Sequence, residues 1–279
     1  MKIFDCFMYY DEDLVLDLRL NILYDHVDEF VIVESKFTHS GEKRQLLFDL
    51  KKYSKFKNKI NYIILDKEPD NLEIINNEDS EDKKNSKYIM NALKRENFQR
   101  NAISKGLTFA NLEDLIIVSD VDEIPNLLEI NIKKIKDEII LFKQNFYYYK
   151  FNLKLENMPW FGSKACRYKI FKSPQWLRNI KGKNYPIWRL DVLFSNKKYS
   201  NIKFIENGGW HFSNMKTADD IEKKMRTYLH HREYDIKPLG TEKIKEIIKN
   251  KKSIYNLRAD MKAEKIDGTQ DLKPTDGNE

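Results

Sequence analysis

The stretch Leu115-Ile116-Ile117-Val118-Ser119-Asp120-Val121-Asp122-Glu123-Ile124-Pro125 contains the strongest structural signal in the chain. Its opening run of four apolar residues is rich in β-branched side chains and predicts a buried strand. The run ends in three carboxylates and a proline. Because side chains alternate along an extended chain, Asp120 and Asp122 are expected to point the same way. Two carboxylates this close repel each other unless a proton or a cation lies between them.

The triplet Asp120-Val121-Asp122 therefore predicts a metal–diphosphate site at the end of a buried strand. Mg²⁺ and Mn²⁺ are hard ions that prefer oxygen ligands, and Mg²⁺ often binds through one or two carboxylates together with substrate phosphates. A plain turn is the alternative, because Asp, Glu and Pro commonly end strands and begin helices.

The segments before this strand alternate between strand and helix patterns. Short apolar runs indicate strands, and the four-residue spacing of leucines indicates helices. The predicted strands are residues 3–8, 30–33 and 60–65, and the predicted helices are residues 11–24, 44–56 and 88–107. Residues 66–86 are polar and predict a long surface loop. This alternation predicts an α/β fold with a mixed, mainly parallel sheet flanked by helices.

The second half of the chain has a weaker pattern. Residues 138–151 predict a further strand, and residues 152–210 are expected to be irregular and hold all four tryptophans. A capping-box pattern at Thr217 predicts the start of a helix. We predict a main domain, a C-terminal helical extension and a disordered tail, at residues 1–232, 233–266 and 267–279.

Composition restricts the function classes. The chain has 279 residues, 41% of them hydrophobic and 34% charged, which indicates a soluble globular protein. Its net charge of +6 comes without an Arg-rich tract, so no nucleic-acid partner is expected. Cys6 and Cys166 lie in apolar contexts and form no CxxC pair, which favours a reducing, cytoplasmic location. Without a signal peptide or a spanning segment in the sequence, at most peripheral membrane association is expected.

Three further polar clusters are candidates for binding. Glu34-Ser35 ends a predicted strand, where Glu34 is expected to accept hydrogen bonds from a base or ribose, unless it is only a solvated strand end. Arg95 and Gln99 share one face of a predicted helix, and Glu96 and Arg100 share the adjacent face. These guanidinium groups suit phosphate or sugar oxygens, although a surface Glu–Arg pair has the same spacing. His211, in Gly209-Trp210-His211, is either a ligand or a packing residue.

Taken in order, these pieces resemble glycosyltransferase family 17 over roughly residues 1 to 232. The resemblance implies a GT-A-type nucleotide-diphospho-sugar transferase fold and transfer with inversion at the anomeric carbon. It rests on Phe4-Asp5-Cys6-Phe7, Glu12 through Leu20, Leu23 through Ser35, Thr38 through Gly41, Arg95-Glu96-Asn97-Phe98-Gln99-Arg100-Asn101, Ser119 through Pro125 and Gly209-Trp210-His211.

The resemblance also implies roles for individual residues. Asp120, Asp122 and His211 become the ligands of Mn²⁺ or Mg²⁺, which neutralises the departing nucleotide diphosphate. The implied donor-binding residues are Glu34, Ser35, Arg95, Gln99, Arg100 and Asp120. An inverting transfer needs a general base to deprotonate the acceptor hydroxyl. The candidates for this base are Glu206 and Asp191, with Glu123 as a weaker one.

The partners implied by the resemblance are a nucleotide sugar, with UDP-N-acetylglucosamine preferred, and a glycan or lipid-linked glycan acceptor. One alternative is a phosphohydrolase of the haloacid-dehalogenase type, with Asp120 as nucleophile and Asp122 as acid/base. That family places Thr or Val two residues after the second Asp, where this chain has Ile124. The other alternative is a glycan-binding module without turnover.

Overall fold

The computed structural model describes residues 1–128, 131–136, 139–228, 234–235, 238–254 and 270–276. The strands are β1 (Ile3–Met8), β2 (Glu29–Ser35), β3 (Ile60–Leu65), β4 (Leu115–Asp120), β5 (Glu123–Pro125), β6 (Ile139–Phe142), β7 (Gln144–Tyr148), β8 (Leu153–Trp160), β9 (Lys164–Arg167), β10 (Ile202–Ile205), β11 (Gly209–Ser213) and β12 (Lys273–Pro274). The α-helices are α1 (Asp13–Leu23), α2 (Glu81–Asn101), α3 (Pro174–Asn179), α4 (Leu190–Leu193), α5 (Ala218–Thr227) and α6 (Thr241–Lys249). Short 3₁₀ helices cover Ser54–Lys59, Ala102–Leu107, Ile132–Lys134 and Tyr168–Ile170.

The first sheet has seven strands in the order β10-β6-β9-β4-β1-β2-β3. β1 to β4 run parallel, so their carboxyl ends meet at one edge, and β9 runs antiparallel between β4 and β6. The mixed, mainly parallel sheet and its first strands are therefore confirmed. Its two faces are covered separately: Phe7 packs with Leu16 of α1 on one face, and Cys6 packs with Ile103 and Leu177 on the other.

A second sheet of five strands has the order β12-β8-β7-β11-β5. Because β4 belongs to the first sheet and β5 to the second, the chain crosses between the sheets at residues 120–123. The second sheet packs through Phe146 and Tyr148 against Ile221 of α5 and Ile244 of α6. The helix α6, which falls within the predicted C-terminal extension, therefore shares a hydrophobic core with the second sheet.

The helix predicted at residues 44–56 is wrong. The buried carboxylate of Glu34 accepts hydrogen bonds from the backbone N–H groups of Leu47 (2.7 Å) and Phe48 (3.1 Å), and the segment has no helix until the 3₁₀ turn at Ser54–Lys59. Those N–H groups are satisfied by a distant side chain rather than by the carbonyl groups of a preceding helical turn. Only the folded protein brings this acceptor to them.

Other boundaries also differ from the predictions. The side chain of Ser80 accepts a hydrogen bond from the backbone N–H of Lys83 and caps α2, which therefore begins at Glu81. The loop before α2 is for this reason shorter than predicted. The strand predicted at residues 138–151 is two strands in different sheets, β6 and β7, and residues 152–210 hold several strands and helices.

The C-terminal predictions had mixed outcomes. Thr217 caps α5 through the N–H of Asp220, as predicted. Contrary to a fully disordered tail, residues 270–276 are ordered and β12 pairs with β8. The rest of that tail and residues 255–266 lie outside the described residues. In the described part of the chain, no helix is both long enough and apolar enough to cross a bilayer.

Candidate active site

An open cavity of about 220 Å³ lies at the carboxyl ends of β1 and β4. This is the edge of an open α/β sheet at which ligands commonly bind. Met8 and Asp120 pair in register at the strand ends and line the cavity, and Asp122 lines it from the turn that follows. The remaining walls are aromatic or polar and include Tyr9, Tyr10, Phe37, Thr38, His39, Arg44, Glu96, Gln99, Arg100 and Lys224.

A buried arginine holds the backbone of the turn between the two sheets. Arg19 of α1 is fully buried, and its Nε and Nη2 atoms bond both carboxylate oxygens of Asp5, at 2.7 and 2.6 Å. Its Nη1 atom donates to the carbonyl oxygens of Asp120 (3.1 Å), Val121 (3.3 Å) and Glu123 (2.7 Å). One guanidinium group therefore fixes the directions of three carbonyl groups in the acidic turn.

Two arginines converge on the carboxylate of Asp120. Arg100 of α2 donates to Oδ1 at 3.1 Å, and Arg178 of α3 donates to Oδ2 at 2.9 Å. Loss of hydration alone would raise the pKa of Asp120, but the charges of Arg178 and Arg100 outweigh it and hold the pKa below its ordinary value. Asp120 is therefore ionised and binds both guanidinium groups, of which that of Arg100 lines the cavity.

The neighbouring carboxylate, Glu123, is 1% exposed and has a structural role. Its Oε2 accepts hydrogen bonds from the N–H of Asp120 (2.7 Å) and from Arg178 Nη1 (2.6 Å), and its Oε1 accepts one from Trp160 Nε1 (2.7 Å). These bonds link the turn, α3 and β8. With its oxygens engaged inside the protein, Glu123 does not line the cavity.

Asp122 lies between two potential cations. Its Oδ1 is 3.7 Å from Nε2 of His211, and Lys224 of α5 also lines the cavity beside it. Desolvation alone would raise the pKa of Asp122, but the proximity of His211 and Lys224 lowers it. Burial alone would lower the pKa of Lys224, but nearby carboxylates, chiefly Asp122 and then Glu12, raise it. Lys224 therefore carries a positive charge at the cavity wall.

The Asp122–His211 pair fits a divalent metal ion. Two ligands of one ion, each about 2.0–2.2 Å from it, lie no more than roughly 4.4 Å apart, and these two atoms are 3.7 Å apart. Nδ1 of His211 is buried without a hydrogen-bond partner among the described residues, so no neighbour fixes its tautomer. No group of three or more His, Cys, Asp or Glu side chains in the described part of the chain forms a complete metal-binding set. A divalent ion held by this pair would need further ligands, which substrate phosphates can supply.

The sequence model of glycosyltransferase family 17 matches residues 1–263. The chain belongs to glycosyltransferase family 17. It is thus a glycosyltransferase, and the assignment favours sugar transfer over both the phosphohydrolase and the binding-module alternatives. The match extends past residue 232 and takes in α6, which shares its core with the second sheet. No curated protein matches the chain at a significant level.

The predicted donor-binding residues of this family 17 enzyme are found in three places. Gln99, Arg100 and Asp120 line the cavity at the ends of β1 and β4. Ser35 and Arg95 line a small neighbouring recess. Arg95 pairs there with Glu68 at 2.5 Å, and Gln99 lines both the recess and the cavity.

Glu34 is fully buried away from that cavity. Its carboxylate accepts hydrogen bonds from the backbone N–H groups of Leu47 and Phe48 and from the hydroxyl of Tyr62 at 2.6 Å. It also forms an ion pair with Arg44 at 3.0 Å. We therefore assign Glu34 a structural role in place of the predicted contact with a base or ribose.

The structure places none of the three predicted bases of the glycosyltransferase at the cavity. Glu206 is on the surface, where it pairs with Lys143 at 2.6 Å. Asp191 lies on α4 and pairs with Arg189 at 2.9 Å and Lys198 at 2.5 Å. Glu123 is buried beneath the turn. We assign the role of base to none of these residues, because the reacting hydroxyl must be within hydrogen-bonding reach of the base.

A second open cavity, of about 500 Å³, adjoins the first in the family 17 enzyme. The two cavities share Glu12, Asp122 and Lys224, so these side chains form a common wall. The second cavity is lined further by Asp11, Asp13, Tyr149, Phe212, Lys216 and Asp220. Among the three residues of this common wall, only Asp122 was predicted from the sequence to be a site residue.

The residues missed at the site carry little sequence signal. Lys224 is one of 50 basic residues and lies on an amphipathic helix whose lysines look alike. Arg19 and Glu12 fall within the stretch that carried the family resemblance, yet their spacing indicated only a helix with an acidic first turn. Arg178 sits in a region that predicted no regular structure.

Proposed function

We propose that the chain is a metal-dependent glycosyltransferase of the GT-A type. In this proposal it transfers N-acetylglucosamine, with inversion, from the UDP-linked donor to a hydroxyl of a glycan or lipid-linked glycan. The observation that carries the proposal is the turn bearing Asp120 and Asp122, which lies at the carboxyl edge of the parallel strands with Arg100 and Lys224 beside it. Paired carboxylates and cations around one cavity suit a metal-bound diphosphate.

Asp122 and His211 would be the direct metal ligands, because their oxygen and nitrogen atoms lie within reach of one ion. Asp120 keeps Arg100 at the cavity wall and also binds Arg178, since each of its carboxylate oxygens accepts a hydrogen bond from one guanidinium group. A bound divalent ion would neutralise the negative charge that builds up on the departing nucleoside diphosphate.

The other donor contacts follow from the cavity walls. Tyr10 offers an aromatic ring, and the Arg44 guanidinium lies 4.2 Å from its centroid. His39 and Gln99 are hydrogen-bonded to each other at 3.1 Å and present polar groups that suit a base or ribose. Burial lowers the pKa of His39, so this imidazole is neutral at pH 7 and adds no charge to the nucleoside end.

Titration calorimetry with UDP tests the donor assignment. We expect UDP to bind at least about tenfold more tightly with Mn²⁺ than with a chelator, because the ion links the diphosphate to Asp122. Binding that is equally strong without Mn²⁺ would contradict the metal part of the proposal. If UDP fails to bind while another nucleoside diphosphate binds with metal, the assigned base is wrong and the site assignment stands.

Glu12 is the proposed general base. It lies on the wall shared by the two cavities, and its Oε2 accepts backbone N–H bonds from Tyr10 and Asp11, both at 3.2 Å. It forms no ion pair with any other described residue, whereas Asp11 pairs with Lys216 and Asp13 pairs with Lys52. We place the acceptor hydroxyl in the second cavity, facing the donor across this wall.

Replacing Glu12 by Gln is expected to lower kcat by about 10²–10⁴-fold, because the amide keeps the size of the side chain but cannot accept the proton. Donor affinity should be unchanged, which UDP titration with Mn²⁺ would verify. Asp17→Asn, at an exposed position of α1, the helix that Glu12 directly precedes, is the matched control and should retain full activity. A Glu12→Gln enzyme with kcat close to that of the parent would place the base elsewhere.

A further inference from the structure

A cluster of exposed apolar side chains stands out on the loop between α3 and β10. Ile187, Trp188, Leu190, Leu193 and Phe194 are 68–88% exposed and lie within eight residues of one another. Other exposed apolar residues, such as Phe109, do not form so dense a run in the sequence. Contiguous exposed apolar surface marks interaction sites because water solvates it poorly. We call these five residues the apolar patch.

The loop that carries the apolar patch has a defined conformation. Its two ends are joined by backbone hydrogen bonds from Tyr185 N to Tyr199 O (2.9 Å) and from Lys181 N to Lys197 O (2.8 Å). Between them, α4 forms one helical turn, and its Val192 is the buried exception, 9% exposed. The patch is therefore presented by a structured segment with one side anchored.

Positive charge surrounds the apolar patch. Residues 181–198 contain five basic residues and one acidic residue, Asp191. Lys183, Arg189 and Lys198 lie 5.0–5.7 Å from the centroid of the Tyr185 ring, so they cluster at the base of the loop. Lys181 and Lys197 are exposed beside them.

We propose that the apolar patch docks the enzyme on an anionic membrane surface. Trp favours the boundary between lipid tails and headgroups, and the neighbouring apolar side chains can enter the acyl layer while basic side chains contact anionic headgroups. The five basic residues against one acidic residue in this segment favour an anionic surface as the partner. The proposal uses no residue of the catalytic site and goes beyond the proposed reaction.

Sedimentation of the full-length protein with vesicles tests this proposal. We expect binding to phosphatidylcholine vesicles that contain about 30% phosphatidylglycerol, much weaker binding to pure phosphatidylcholine, and weakening at high salt. The double variant Trp188→Ser, Phe194→Ser should need about tenfold more lipid for half-maximal binding. Both side chains are more than four-fifths exposed, so the fold should persist, and thermal unfolding would verify this.

Matched controls distinguish binding through the apolar patch from nonspecific hydrophobic adsorption and from nonspecific electrostatic attraction. Phe109→Ser removes an apolar side chain that is 89% exposed elsewhere and should leave vesicle binding unchanged. Lys181→Glu with Lys197→Glu should weaken binding more than the same reversal at the exposed Lys51 and Lys57. The proposal would be overturned if the protein did not bind vesicles, or if the patch variant bound them as well as the parent. It would also be overturned if the patch formed a dimer that does not bind vesicles.

Discussion

Asp122→Asn is expected to lower kcat by about 10²–10³-fold, because the variant loses the charged oxygen ligand that holds the metal against the diphosphate. The variant should also lose the gain in UDP affinity that Mn²⁺ provides, while binding UDP without metal much as the parent does. Its fold should persist, because the Asp122 carboxylate lies 3.7 Å from Nε2 of His211 and forms no shorter ion pair with a described residue. Glycosyl transfer and calorimetry at several Mn²⁺ concentrations measure both effects.

Two comparisons make this result specific. Asp219→Asn, on the exposed face of α5, makes the same chemical change away from the cavity and should be silent. Asp120→Asn should reduce activity and stability together, because Arg100 and Arg178 each lose one of their two carboxylate partners and keep only Glu96 and Glu123, respectively. If Asp122→Asn keeps its metal-dependent UDP binding, Asp122 is not the ligand that we propose.

Arg19→Ala is expected to lower the free energy of unfolding by about 3–5 kcal/mol, since it leaves the Asp5 carboxylate buried without a partner. The same change removes the donor for three carbonyl groups of the acidic turn, so activity should fall as well. Urea unfolding followed by circular dichroism gives the first quantity, and transfer assays on the folded fraction give the second.

The double variant Asp5→Leu, Arg19→Met distinguishes the two roles of Arg19. Without an unpaired buried charge, the protein should recover part of the lost stability, since apolar replacements of buried ion pairs are often tolerated. Activity should stay low, because the turn carbonyls still lack their donor. Arg226→Ala, at an exposed pair with Glu222, is the control and should cost no more than about 1 kcal/mol. A similarly small effect of Arg19→Ala would show that this pair does not hold the turn.

The local pattern of apolar and polar residues predicted those strands and helices whose formation depends on residues close together in the sequence. The apolar runs of β1 to β4 indicated buried strands, and each strand is present in the first sheet. The pattern failed at residues 44–56, where a helical periodicity is overruled by the buried Glu34 carboxylate. It also merged β6 and β7, because an apolar stretch does not reveal that the chain leaves one sheet for another.

The sequence by itself determined the α/β class, the family resemblance and the acidic turn at Asp120 and Asp122, because hydrophobic period and short motifs are local properties. Only the tertiary structure decided which side chains meet that turn. Arg19, Arg178 and Lys224 lie on three different helices far apart in the sequence, and their convergence comes from sheet order and helix packing. For the same reason, the choice of Glu12 over Glu206 as the proposed base depends on the wall between two cavities, which no spacing in the sequence encodes.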